Sequence, residues 1–108
     1  MKMVKTSIYN LRFWLLETDA SLLKKHLHKF LSEAGYGIVG FSEHQFKPQG
    51  YTAIWLLSES HLALHTYPEE ERSYVELSGC SKEMNERFKS LCHQQWPDNI
   101  EQEELAIM

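Results

Sequence analysis

The sequence predicts an α+β fold: a two-layer sandwich in which a mainly antiparallel sheet carries two helices on one face. Three observations point to it. The segments run strand, helix, several strands, helix, the order expected when helices are segregated to one side of a sheet. Two stretches repeat apolar residues at helical spacing. Between them, short runs rich in branched and aromatic residues are divided by turn signals. The sheet face away from the helices then needs water, a ligand or another subunit against it.

Each element has its own signal. Ser7 to Glu17 reads as a first strand, most apolar near its end. Asp19 is placed to cap a helix starting at Ala20, and Leu22, Leu23, Leu27, Phe30, Leu31 and Ala34 recur along one helical stripe. Gly35 closes that helix, because a residue without Cβ enters the left-handed region at little cost. Gly37 to Phe46 is a second strand, Pro48-Gln49-Gly50 a turn, and Tyr51 to Leu57 a third strand. His61 to Tyr67 is a fourth, with Leu62 and Leu64 on one face and His61, Ala63 and His65 on the other. Pro68 and Glu69-Glu70-Glu71 end it. Ser73 to Ser78 is a fifth strand, and Met84, Phe88, Leu91 and Cys92 mark a second helix ending before Pro97. The tail from Ile100 to Met108 is ambiguous, a short final strand being the less favoured reading.

At 108 residues the chain is read as a single domain, residues 1–108, with no room for two cores. Hydrophobic content of 43% and aromatic content of 12% are those of a globular protein rather than a disordered one. A formal net charge of −4, without a basic block or stripe, argues against nucleic acid as a partner. No stretch approaches the roughly 18 apolar residues a membrane helix needs. The opening MKMVKTS lacks the apolar core of a signal peptide. With Cys80 and Cys92 the only cysteines, a reducing cytoplasmic setting is expected.

The segment LSESHLALHTYPE, Leu57 to Glu69, raises the question of function. It sets Glu59-Ser60-His61 at the edge of an apolar run and His65 inside it. No metal is expected. His61 and His65 share a strand face, but four strand residues span about 13 Å, and two ligands of one zinc at about 2 Å each cannot be that far apart. Cys80 and Cys92 also lack zinc spacing. There is no phosphate-binding glycine loop and no nucleophile elbow for a serine hydrolase.

The run Phe46-Lys47-Pro48-Gln49-Gly50-Tyr51-Thr52, then Leu57-Ser58-Glu59-Ser60-His61-Leu62-Ala63-Leu64-His65-Thr66-Tyr67-Pro68-Glu69, and Cys80 twenty residues after Ser60, resembles the prokaryotic pyruvoyl-dependent S-adenosylmethionine decarboxylases. The pattern E-S-H-x-x-x-H-T-aromatic-P-E is long and fixed in spacing. The match is close from Phe46 to Cys80, and the order of elements agrees over most of the chain.

The resemblance implies a proenzyme that cuts itself into a β chain, residues 1–59, and an α chain, residues 60–108. Ser60 would attack the carbonyl of Glu59 and turn the peptide bond into an ester. His65 would act as base in the elimination that breaks the ester, a task suited to imidazole. Thr52 would support the tetrahedral oxygen. The product is a covalent pyruvoyl group at position 60, whose ketone forms a Schiff base with the substrate amine and takes up the electrons left when CO₂ departs. Cys80 would return a proton to the substrate. Phe46 falls on the adenine-stacking position, Glu69 on the ribose-binding position, and Tyr67 on a pocket-wall position. The implied substrate is S-adenosylmethionine, the product is the aminopropyl donor of spermidine and other polyamines, and the assembly is a homodimer of cleaved αβ units.

Taken singly, each residue has an ordinary reading. Ser60 is a turn residue, His65 a half-buried polar group, Cys80 a small apolar residue, Phe46 core, and Glu69 surface charge. Their joint spacing outweighs those readings. His61 gains no role beyond shaping the turn, and His26, His28, His44 and His93 keep their ordinary ones. The chain departs from the family at Tyr67, usually Trp, and at Glu70-Glu71, usually an aromatic-Gly pair. Gly79 and Ser81 flank Cys80 where Thr and Gly are usual. The first strand lacks a Gly-x-His, and the C-terminus is somewhat short. These departures bear on the substrate more than the reaction. They leave open the same chemistry on ornithine or arginine, or an inactive homologue serving as a binding or regulatory subunit.

Overall fold

A computed structural model describes residues 6–108. The reading of the first five residues as free of a signal peptide's apolar core lies outside the described residues. The elements are β1 (Tyr9–Leu15), α1 (Ala20–Ala34), β2 (Ile38–Gln45), β3 (Tyr51–Leu57), β4 (His61–Tyr67), a single 3₁₀ turn (Pro68–Glu70), β5 (Arg72–Gly79), α2 (Lys82–Gln95) and β6 (Ile100–Ile107). The strands form one six-stranded sheet in the order β2-β3-β4-β5-β1-β6, with every neighbouring pair antiparallel. The expected α+β sandwich is therefore the observed one.

Period-two alternation builds the layer beneath the helices. Leu11, Phe13 and Leu15 of β1, Ala53, Trp55 and Leu57 of β3, Leu62 and Leu64 of β4, and Val75 and Leu77 of β5 are all buried. Leu23, Leu27, Phe30, Leu31 and Ala34 of α1 and Phe88 and Cys92 of α2 complete the same core. Burying a Leu or Phe side chain of this kind contributes about 1.5–3 kcal/mol relative to exposure. Leu22, expected in that stripe, is instead 44% exposed. It sits in the first turn, where its backbone N–H donates to the Asp19 side chain at 3.0 Å, and its side chain lies off the buried stripe. The cap at Asp19 and the left-handed Gly35 (φ 105°) match expectation. Ser81 caps α2, its hydroxyl accepting from Met84 N–H at 3.2 Å.

The largest departure from expectation is β6. The tail pairs with β1 as an edge strand, and the register slips opposite Phe13. Gln102 sits there at φ 51°, so two residues oppose one, as in a β-bulge. The bulge resets the alternation midway, which leaves no single period to read.

Candidate active site

β3 and β4 are joined by a tight turn. Leu57 N–H donates to the Ser60 carbonyl at 2.8 Å, and Ser60 N–H donates to the Leu57 carbonyl at 3.1 Å. Ser58 and Glu59 are thus the two central residues of a hairpin loop. The turn is tied down from outside by Ser58 N–H donating to the Gly37 carbonyl at 2.8 Å. The register of β4 against β5 pairs His61 with Ser78, which sets Ser60 beside Gly79. Cys80 follows directly. Its Sγ lies 3.9 Å from the Glu59 carbonyl oxygen and 3.5 Å from the Glu59 carboxylate. Glu59, Ser60 and Cys80 therefore meet at one end of the sheet.

Two residues without any local signature join them. Tyr36, just past α1, and Asn85, in the first turn of α2, are 5% and 3% exposed. The Tyr36 hydroxyl donates to Asn85 Oδ1, and Asn85 Nδ2 donates to the Tyr9 carbonyl at 3.0 Å. Burial, with a smaller contribution from nearby Cys80, pushes the Tyr36 phenol well above its ordinary range and keeps it protonated.

The remaining candidates gather at the opposite end. Thr52 and His65 are cross-strand partners, with Thr52 Oγ1 3.0 Å from His65 Nδ1. They border a cleft of about 510 Å³ whose walls include Phe46, Gln49, Tyr67 and Glu69, a volume suited to a small ligand. Gln49 Nε2 donates to Glu69 Oε2 at 3.2 Å. Phe46 meets the His44 ring edge-on, centroids 4.6 Å apart. Glu70 lies in a neighbouring hollow with Arg72 and Trp14. His65 follows Ser60 by five strand residues, about 16 Å of chain. Within one copy the imidazole cannot reach the serine.

Between the two ends, the open face carries a polar network that pattern reading missed. Tyr74 donates to Glu76 Oε1 at 2.6 Å, Asn10 Nδ2 donates to Glu76 Oε2 at 3.1 Å, and Arg12 pairs with Glu104 at 3.0 Å. Those hydrogen bonds, Tyr74's first, hold the Glu76 carboxyl below the usual carboxylate range. Among the described residues, no group of three or more His, Cys, Asp or Glu side chains is arranged to hold a metal ion, and no helix is long and apolar enough to cross a membrane.

The family model described as S-adenosylmethionine decarboxylase matches residues 5–106. The chain belongs to the S-adenosylmethionine decarboxylase family. Among similar family members, the S-adenosylmethionine decarboxylase proenzyme of Symbiobacterium thermophilum is 42% identical over 62 residues, 57% of this chain and 47% of that protein. The proenzyme of Brevibacillus brevis is 37% identical over 79 residues, 73% of this chain and 59% of that protein. Proenzyme 2 of Bacillus cereus is 34% identical over 79 residues, 73% of this chain and 63% of that protein. The chain thus spans between about half and just under two thirds of the length of these S-adenosylmethionine decarboxylase relatives. The crystal structure of the adenosylmethionine decarboxylase from Aquifex aeolicus superposes with a TM-score of 0.75 at 20% identity, covering 97% of this chain and 91% of that one. That likeness is one of fold.

Proposed function

We propose that this chain is a proenzyme that cuts itself between Glu59 and Ser60 and then decarboxylates S-adenosylmethionine. One observation carries the reading: the Cys80 thiol stands against the Glu59 carbonyl at a hairpin turn whose next residue is Ser60. A nucleophilic hydroxyl, the bond it would attack and a proton-carrying thiol are already side by side.

The processing steps use the chain's own atoms. Ser60 Oγ bonds to the Glu59 carbonyl carbon as the Glu59–Ser60 C–N bond breaks, and the hydroxyl proton passes to the freed amine. A base takes the α-proton of residue 60, the Cβ–Oγ bond breaks, and Glu59 leaves as a carboxylate. Addition of water and loss of ammonia complete a ketone at the new N-terminus. Position 60 suits that group, since it immediately precedes β4 and is half-buried at the same sheet end as Cys80. A pyruvoyl group there supplies an electron sink for the loss of CO₂ from an α-amino acid.

The base must come from elsewhere, because His65 of the same chain is about 16 Å along the strand from Ser60. We read the enzyme as a homodimer in which Thr52 and His65 of a second copy face Ser60 and Cys80 of the first. The open sheet face supports this: Ile54 and Leu56 lie on it, 44% and 55% exposed, beside Ala63 and the Thr52–His65 pair. In the cleft, the Phe46 ring would take the adenine face, the Glu69 carboxylate would accept from ribose hydroxyls, and Tyr67 would form a wall. Cys80 would return a proton to the substrate α-carbon. The likeness to S-adenosylmethionine decarboxylases favours S-adenosylmethionine over ornithine or arginine. Both cysteines are free thiols, in keeping with a cytoplasmic enzyme.

The test is product analysis. Carboxyl-labelled S-adenosylmethionine, ornithine and arginine are each incubated with the matured protein. Labelled CO₂ from S-adenosylmethionine alone is the expected result. Release only from a basic amino acid would overturn the substrate, and no release from any would overturn the enzyme.

A further inference from the structure

Three oxygens from distant parts of the chain converge on one point above Gly79. A Cβ placed on Gly79 would stand 2.9 Å from the Tyr36 hydroxyl oxygen, 3.0 Å from Asn85 Oδ1 and 3.2 Å from Ser60 Oγ. Gly79 is not among the residues with positive φ, so its backbone does not require glycine. What requires it is the space the three groups occupy.

The order of hydrogen bonds in this cluster is set by burial. The Tyr36 proton goes to Asn85 Oδ1, and Asn85 is itself anchored through Nδ2 to the Tyr9 carbonyl. With its proton committed, the phenol oxygen has lone pairs left to offer. Ser60 Oγ is the third oxygen around that same point, and the phenol is far more firmly held than a serine on a hairpin. A serine hydroxyl has three staggered wells to choose from, and attack on the preceding carbonyl needs one of them.

We propose that Tyr36, held by Asn85 and admitted by Gly79, is the positioning residue that orients the Ser60 hydroxyl for attack on Glu59. The proposal rests on the self-cleavage reading and adds to it a device outside the motif. Tyr36 takes no proton and makes no bond; it acts by holding Ser60 in place. Misplacing a reacting group by about 1 Å costs on the order of 100-fold in rate, so losing this hold should slow cleavage by about 10–100-fold.

The experiment follows the two fragments by intact mass at neutral pH, with Tm measured alongside. Tyr36→Phe removes one oxygen and keeps the ring. It should cleave about 10–100-fold more slowly than wild type. Two double variants separate positioning from packing. Tyr36→Ala with Gly79→Thr returns a hydroxyl to the vacated point, whereas Tyr36→Ala with Gly79→Val returns the same shape without it. Both lose the same ring, so a packing role would affect them equally. The Thr pair should cleave well ahead of the Val pair. Equal rates in those two, or Tyr36→Phe keeping pace with wild type, would overturn the proposal and leave self-cleavage standing. A wild-type chain that stays whole would overturn both. Should Tyr36→Phe not fold, the Thr and Val pairs decide.

Discussion

Thr52 Oγ1 and His65 Nδ1 face each other at 3.0 Å across the β3–β4 pair, at the far end of β4 from Ser60. If they serve the serine of a second copy, two defective chains should repair one another. Ser60→Ala and His65→Ala should each stay whole when expressed alone. In a mixed dimer, the His65→Ala chain keeps its serine and meets an intact His65 from its partner. Coexpression should therefore release fragments of the His65→Ala chain only, resolved by mass. An absence of fragments from the mixture would contradict a shared site.

Cys80 has a later task than Ser60 in this account. Cys80→Ala should still yield both fragments, since the nucleophile and the base remain. Turnover should fall by about 10²–10⁴-fold, the usual worth of a positioned proton donor. Single-turnover and steady-state rates on the cleaved variant check this. Unchanged kcat would remove Cys80 from the reaction.

What the sequence revealed and what it hid follow one division. Features set by local chemistry were legible: the Asp19 cap, the Gly35 stop, the alternation of β3 and β4, and the spacing of Ser60, His65 and Cys80. β6 was not, because the bulge at Gln102 moves Glu103, Leu105 and Ile107 to the opposite parity from Ile100. Leu22 fits a helical period but lies at its margin, where one turn's rotation decides between core and water. Tyr36 and Asn85 carry no mark in the chain at all, and Gly79 shows only as a departure from the family beside Cys80. They are neighbours of Ser60 only because α1, β5 and α2 end at the same corner. The division of the motif between two ends of the sheet was within reach, since the strand rise that separates His61 from His65 also separates Ser60 from His65.

The Tyr74–Glu76 hydrogen bond makes a pH prediction. Glu76 is held below its ordinary 4.5, so its contribution to stability is present above the unfolded pKa and is lost as pH falls through the depressed folded value. Tyr74 runs the other way. Burial first, then Glu76, push its phenol from 10.0 up to about 12, so its contribution holds below 10 and is lost as pH rises toward 12. Tyr74→Phe removes the bond that both groups share. Its Tm should lie below that of wild type through the neutral range, and the gap should narrow in acid and again in alkali. A gap that does not change with pH would contradict the linkage.

Ser81 holds the start of the helix that brings Asn85 to the site. Ser81→Ala removes the acceptor for Met84 N–H and should cost about 1 kcal/mol in urea denaturation. No loss would mean that the first turn of α2 is held by its tertiary contacts alone.

The account's central claim is that the chain severs its own backbone, and intact mass tests it most directly. After incubation at neutral pH, the protein should resolve into two fragments joining at Glu59 and Ser60. The second should carry a ketone that shifts in mass on borohydride reduction, and Ser60→Ala should remain whole. A wild-type chain that stays at its full mass, or a Ser60→Ala chain that divides at the same place, would contradict it.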